Sequence, residues 1–322
     1  MLLAGDVGAT KCHLALFDPG REREPDASAS LASADHADLE SVLDAFLADR
    51  KVAIDAAAFG VAGPVVAGVC KTTNLPWTVR ETSLQDRLGT RRVRVVNDLV
   101  ATALGIDALQ EDELQVLQAG SARARGNLAV IAAGTGLGEA ALIADGDRKH
   151  PLASEGGHAD FAPTDPVELE LLAWMREGHA RVEYEDLVSG PGLVNLYRFF
   201  HRDQPHPDLW KGDDEGSIDS AAAISKAAMA GACSGCRKSL ERFVSIYGAE
   251  AGNLALKVLA TGGVYIAGGI APKILPVLRD GRFTESFNRK GAFSDLMRSM
   301  PVRVVLNPRT AFLGAARMAA QL

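Results

Sequence analysis

The chain has 322 residues, with 34 basic and 41 acidic side chains and a formal net charge of −7. No excess of Lys and Arg exists to neutralise phosphates, which argues against a general nucleic-acid or anionic-membrane binder. An anionic ligand must instead be met by backbone N–H groups, a metal ion or a local pocket. Hydrophobic residues at 47% and charged residues at 23% are ordinary globular usage and argue against disorder. Hydrophobic cores tend to split beyond about 250–300 residues, so two domains are expected. The four cysteines, Cys12, Cys70, Cys233 and Cys236, are too few and too scattered for a disulfide framework. The opening MLLAGDVGATK lacks a basic stretch and Asp6 interrupts its apolar residues, unlike a signal peptide. No uncharged apolar run reaches the ~20 residues of a membrane helix. A cytoplasmic protein is expected.

The first 17 residues read as strand (Leu2–Gly5), glycine turn (Asp6–Lys11) and strand (Cys12–Phe17). Residues 18–35 are small, charged and Pro-containing, which predicts an exposed loop. Leu39, Val42, Leu43, Phe46 and Leu47 recur at helical spacing. Ala53–Val61 reads as a strand, as does Val93–Val96, which runs into Asn97-Asp98 and a helix over 99–109. A second strand–turn–strand follows at 128–144, with Gly134-Thr135-Gly136-Leu137-Gly138 at its turn. It repeats the device of the opening hairpin at domain spacing. Beyond it lie a glycine-rich loop (154–163), a helix near 167–176 and the segment YEDLVSGPGLVNLYRFF. Residues 201–217 read as a surface excursion, 218–260 as mostly helix, 261–272 as strand then a glycine-led helix start, and 311–322 as a closing helix.

Gly residues number 32 and cluster in three loops, at 5–11, 134–138 and 262–269. Glycine lets successive N–H groups turn toward one point and lets a ligand approach without a Cβ in the way, and phosphate rewards such an arrangement most. An ordinary hairpin turn explains any one of the loops taken alone. No Gly-Lys dipeptide occurs, which excludes a Walker-type loop. GTGLGE puts Glu139 where a dinucleotide fingerprint needs its third glycine, and the segment after it reads as strand rather than helix. Phosphate would therefore be held by hairpin turns.

GDVGATK (5–11), VVNDL (95–99), AAGTGLGEA (132–140), SEGGHADFAP (154–163), LVSGPGLVNLYR (187–198) and GGVYIAGGI (262–270) resemble the bacterial glucokinases. These belong to the actin-like ATPase superfamily, which includes the hexokinases. The motifs keep the family's order and cover nearly the whole chain. The resemblance implies an α/β, two-lobed actin-like ATPase (ribonuclease H-like) fold. Its small domain would be residues 1–107 completed by a C-terminal helix over 306–322, and its large domain 108–305. It also implies ATP as co-substrate with Mg²⁺, glucose as acceptor, glucose 6-phosphate and ADP as products, and a homodimer. Gly5, Asp6, Val7, Gly8, Ala9, Thr10 and Lys11 would wrap the phosphates, with Asp6 reaching Mg²⁺ through water. Ala9 stands where the family usually has a second glycine, and Lys11 reads equally well as an exposed strand-end lysine. Gly134, Thr135, Gly136 and Gly138 would hold the remaining phosphate edge. Gly268 and Gly269 would lie toward adenosine, with helix–strand packing as the rival reading.

The same resemblance makes Asp98 the general base, although Asp before an apolar helix is also a good N-cap. Asn97, Glu155, His158, Glu185 and Asn74 would read the sugar hydroxyls. A carboxylate or amide fixed there is left unpaired by a misplaced hydroxyl, which is how such a site selects. Glu183 and Asp186 lie close to Glu185 in the same segment. Cys233 and Cys236 form a CxxC, but no second Cys or His pair sits at zinc spacing, so the two are expected on one helix face. Two other readings keep or change the class: a kinase for another hexose or N-acetylated amino sugar, and a non-catalytic sugar-sensing regulator. The regulator is disfavoured because the phosphate hairpin starts at residue 2, where such relatives carry a helix-turn-helix.

Overall fold

The computed structural model describes residues 1–73, 75–121, 125–202 and 218–322. Asn74 and nearly all of the expected excursion at 201–217 lie outside the described residues. The chain groups into two compact units, one of Met1–Leu114, Ala140–Ala153 and Asn307–Leu322, the other of Gln115–Glu139 and Ser154–Leu306.

In the first unit the strands are β1 (Leu2–Val7), β2 (Lys11–Phe17), β3 (Ala27–Ala32) and β4 (Ala56–Val61). A small antiparallel sheet of β5 (Val65–Val66), β6 (Val69–Lys71) and β7 (Thr78–Arg80) follows, then β8 (Val93–Asn97). The main sheet runs β3-β2-β1-β4-β8. β1 is antiparallel to β2 and parallel to β4, and β4 is parallel to β8. Helices α1 (Leu39–Leu47), α2 (Glu81–Leu88) and α3 (Asp98–Gly105) punctuate these strands. Side chains alternate faces along a strand, and the core divides accordingly. Leu3, Val7, Leu14 and Phe59 pack with Leu39, Val42, Leu43 and Phe46 of α1. Leu2, Ala4, Ala15, Phe17 and Ala58 pack with Phe312, Ala315, Ala316 and Ala319. The stretch 18–35 is not all loop: ASASLA pairs as an edge strand along β2, Leu14 facing Ala29. Ala and Ser carry weak strand preference, so alternation of small residues gave no readable signal.

A six-stranded sheet is built of β9 (Leu114–Gln118), β10 (Leu128–Ala133), β11 (Leu137–Asp145), β12 (Arg148–Ser154), β13 (Gly263–Ala267) and β14 (Val302–Val305); β10, β13 and β14 belong to the second unit, while residues 140–153 of β11 and β12 group with the first. They are ordered β12-β11-β10-β13-β14-β9. β10, β13 and β14 run parallel, and every residue of β13 is buried, as strands covered on both faces require. The helices are α4 (Pro166–Met175), α5 (Gly190–His201), α6 (Ile218–Met229), α7 (Ser234–Val258), α8 (Leu275–Leu278), α9 (Arg282–Asn288) and α10 (Ser294–Ser299). Helix α11 (Thr310–Gln321) closes the first unit. α7 supplies the longest buried stripe, including Phe243, Val244 and Tyr247. The Tyr247 hydroxyl donates to the Ile131 carbonyl at 3.2 Å and accepts from the Ala133 N–H at 3.1 Å, fixing the end of β10. After β13 the chain makes a turn at 268–270 and a 3₁₀ segment at Ala271–Ile274, so the expected helix start after Gly268-Gly269 is delayed.

Candidate active site

In open α/β sheets, ligands collect outside the carboxyl ends of parallel strands. In the first unit Asp6 is level with Gly60, and Val61 with Asn97. The β1–β2 turn, the end of β4 and the Asn97-Asp98 pair therefore share one sheet edge. The turn is closed by the Gly8 N–H donating to the Lys11 carbonyl at 3.0 Å. Ser33 braces it from beneath, its hydroxyl donating to the Gly8 carbonyl at 2.8 Å and its N–H to the Thr10 carbonyl at 3.0 Å. Ala9, Thr10 and Lys11 are exposed at the tip, while Gly5 and Val7 are buried in β1. Burial raises the Asp6 carboxyl above its ordinary range, opposed by His13, the residue opposite it on β2. A desolvated carboxylate at a strand end suits a hard cation.

The cap of α3 is Asn97, not Asp98. Asn97 Oδ1 accepts the N–H groups of Leu99 at 2.8 Å and Val100 at 3.4 Å, and Nδ2 donates to the Gly63 carbonyl at 3.1 Å. The amide expected to read sugar is thus largely committed to backbone. Asp98 occupies the first helical position and its Oδ1 accepts the Leu99 N–H at 2.9 Å. Its backbone packs against the end of β4, where a Cβ on Gly60 would stand 3.7 Å from the Asp98 Cα.

The second unit repeats this edge. Ala132 of β10 is level with Ala267 of β13, which brings the Gly134–Gly138 turn beside Gly268 and Gly269. Gly268 has φ +83, and a Cβ there would come 2.4 Å from the Ala133 carbonyl oxygen. Strand packing accounts for Gly268, whereas Gly269 is open. Two donors of the turn are used internally: Gly134 N–H meets the Gly136 carbonyl at 2.8 Å, and Leu137 N–H meets Glu185 Oε2 at 2.8 Å. The Gly134 carbonyl accepts from Gly190 N–H at the start of α5 at 2.8 Å. Thr135 is exposed.

Glu185 is therefore a brace of the turn as well as a sugar-reading candidate. Its own N–H donates to the Gly157 carbonyl at 2.9 Å, which ties it to the Glu155–His158 loop. Gly157 is buried, and a Cβ on it would lie 1.9 Å from the Leu137 carbonyl oxygen, so the loop can lie on β11 only with glycine there. Glu155 and His158 are exposed at its two ends. His158 Nδ1 lies 2.6 Å from Glu183 Oε2, which in turn meets Arg181 at 2.9 Å through Oε1. That bond, ahead of the burial opposing it, raises the His158 imidazole above its ordinary value. A ligand would then meet Nε2.

Glu139 gains its significance only in the fold. It is buried at the start of β11, with Oε2 1.9 Å from where a Gly156 Cβ would stand and Oε1 without a hydrogen-bond partner among the described residues. Burial first, then the charge of Glu250, pushes its carboxyl up to about 8, so the pair keeps a proton at neutral pH. Glu250 is fully buried and held by Asn253 Nδ2 at 2.8 Å and Lys257 Nζ at 3.4 Å. The apolar-and-glycine run before Glu139 was the available signal, since a charge there had to be buried. Glu183 was visible only as a neighbour of Glu185.

Two sheets carry glycine turns at their carboxyl edges, one beside a strand-end carboxylate and the other beside a braced acidic loop, and likeness to known proteins makes the chain an ATP-dependent sugar kinase of the actin-like ATPase fold. A family model described as Glucokinase matches residues 3–322. A glucokinase of Nostoc punctiforme is 40% identical, with 100% of this chain and 99% of that protein covered. The crystal structure of a glucokinase from an Antarctic psychrotroph superposes with a TM-score of 0.86 at 30% identity, covering 100% of this chain and 99% of that one. A ROK family glucokinase from Streptomyces griseus, in complex with glucose and AMPPNP, shares the fold at a TM-score of 0.67 and 21% identity, over 100% of this chain and 99% of that chain. The chain belongs to the glucokinase family. Among the described residues no helix is long and apolar enough to cross a membrane.

Proposed function

We propose that this chain transfers the γ-phosphoryl group of ATP to the 6-hydroxyl of glucose, giving glucose 6-phosphate and ADP. The observation that carries the chemistry is the seat of Asp98 at the carboxyl edge it shares with the β1–β2 turn. Phosphoryl transfer asks a protein mainly for alignment, charge neutralisation and a base for the acceptor hydroxyl. Asp98 takes the proton from the 6-hydroxyl as that oxygen attacks phosphorus in line, the β–γ bridge breaks and ADP leaves.

The turn of residues 8–11 and the exposed part of the Thr135–Gly138 turn hold phosphate oxygens through backbone N–H groups and the Thr10 and Thr135 hydroxyls. Asp6 would hold Mg²⁺ through water, and the ion would neutralise phosphate charge when bound. Glu155, His158 through Nε2, and Glu185 through its second oxygen pair with the sugar hydroxyls. Asn97 positions Asp98 by capping its helix and offers at most one amide hydrogen to the sugar. The reading includes a homodimer, checked by sedimentation, and the first phosphorylation of sugar breakdown in the cytoplasm as the setting. The site division is tested by Glu155→Gln, which is expected to weaken glucose use far more than ATP binding. A change confined to ATP affinity would place Glu155 outside the sugar site.

A further inference from the structure

Away from the residues assigned above, helix α5 ends on His201 and helix α7 begins after Cys233. His201 Nδ1 lies 2.9 Å from the carbonyl of Tyr197, one turn earlier. A carbonyl only accepts, so Nδ1 carries the hydrogen and a neutral ring presents its lone pair at Nε2. Nε2 lies 3.4 Å from Cys233 Sγ. Cys233 caps α7, its sulfur accepting the Cys236 N–H at 3.2 Å. The donor atoms of His201, Cys233 and Cys236 all lie within 4.8 Å of one another. Gly235 makes this approach possible, since a Cβ there would stand 2.4 Å from His201 Nε2 and 2.2 Å from Cε1. His201 and Cys236 are buried and Cys233 half-buried.

We propose that His201, Cys233 and Cys236 form a binding site for one thiophilic divalent cation of the zinc type, joining the end of α5 to the start of α7. Two sulfurs and an imidazole nitrogen are the ligands such an ion selects. Tetrahedral bonds of ~2.0–2.1 Å to nitrogen and ~2.3 Å to sulfur set neighbouring donors about 3.5–3.8 Å apart, which small side-chain shifts satisfy here. The surroundings agree. A ligating histidine usually gives its other N–H to a carbonyl or carboxylate, and the α7 N-terminus supplies an N–H to one sulfur. Such an ion takes sulfur as thiolate, so the thiol protons leave to solvent when it binds. A water completes the four ligands. The sequence hid this site because its histidine lies 32 residues from Cys233, on another helix, where spacing rules do not look.

The test is a Co²⁺ titration of the full chain, reduced, stripped with a chelator and kept free of oxygen. One equivalent is expected to give thiolate-to-cobalt charge-transfer absorption and the visible bands of tetrahedral cobalt, both abolished by equimolar Zn²⁺. Cys233→Ser and Cys236→Ser should each weaken binding by more than the roughly 10–100-fold typical of losing an outer-shell partner. Cys12→Ser and Cys70→Ser should leave it unchanged. Circular dichroism checks the folding of each variant, and the titration of the unaltered chain stands whether or not they fold. Absence of the bands in that chain overturns the proposal, as do bands that survive both Cys233→Ser and Cys236→Ser. A Cys233–Cys236 disulfide that forms in air, and whose reduced form binds no cobalt, overturns it equally and makes the pair a redox couple.

Discussion

The two carboxyl sheet edges use one device for two purposes. Each has a β-hairpin turn rich in glycine and a parallel strand whose end is level with it. The edge of the first unit is sparsely furnished: an exposed tip braced by Ser33, a desolvated Asp6, and Asp98 set by the Asn97 cap. That of the second unit is crowded with carboxylates, and Glu185 fastens its turn to the glycine loop carrying Glu155 and His158. A sparse edge with two acids, one at the hairpin turn and one at the start of α3, suits chemistry. A braced array of acceptors suits recognition of a polyhydroxyl ligand, because a rigid acceptor left unpaired is costly.

Substitutions on the two edges should therefore separate turnover from binding. The largest effect is expected from Asp98→Ala, which should lower kcat by roughly 10²–10⁴ with KM for glucose little changed; near-normal turnover would remove Asp98 from the mechanism. Next comes Glu185→Gln. Replacing a charged acceptor by a neutral one should cost about 1–2 kcal/mol, read as roughly a tenfold rise in KM for both substrates, since the residue touches turn and loop. A rise confined to glucose would show that the brace on Leu137 is dispensable.

Much of this arrangement was legible in the sequence, and the gaps have physical causes. Both hairpins, α1, β4, β8 and the closing helix follow from apolar periodicity and glycine punctuation, which are local. Edge strand β3 escaped because Ala and Ser carry little strand signal. The roles of Asn97 and Asp98 could not be separated because both cap well, and only the backbone geometry decides which one does. Glu139 and His201 escaped for a common reason: each derives its meaning from partners more than 30 residues away, Glu250 and Cys233.

Two smaller effects sharpen the comparison. The proton kept by the Glu139–Glu250 pair stabilises the native state below the ordinary carboxyl value of 4.5 in full, and that contribution is lost as pH rises through about 8. Glu139→Gln should accordingly gain in Tm over the unaltered chain as pH rises across that window. A Tm difference independent of pH would contradict a shared proton. Ser33→Ala removes the hydrogen bond to the Gly8 carbonyl under the sparse turn together with the weaker one to Cys12 Sγ, and should cost about 1–2 kcal/mol in denaturant unfolding and weaken ATP more than glucose. An effect on glucose alone would contradict the assignment of that turn to phosphate.

The most direct measurement follows ADP and hexose phosphate together when the purified chain meets Mg·ATP. With glucose present the two products should appear in equal amounts, neither should form without it, and mannose should be used with a much lower kcat/KM. ADP release that ignores glucose, or equal kcat/KM for glucose and mannose, would contradict the proposed reaction.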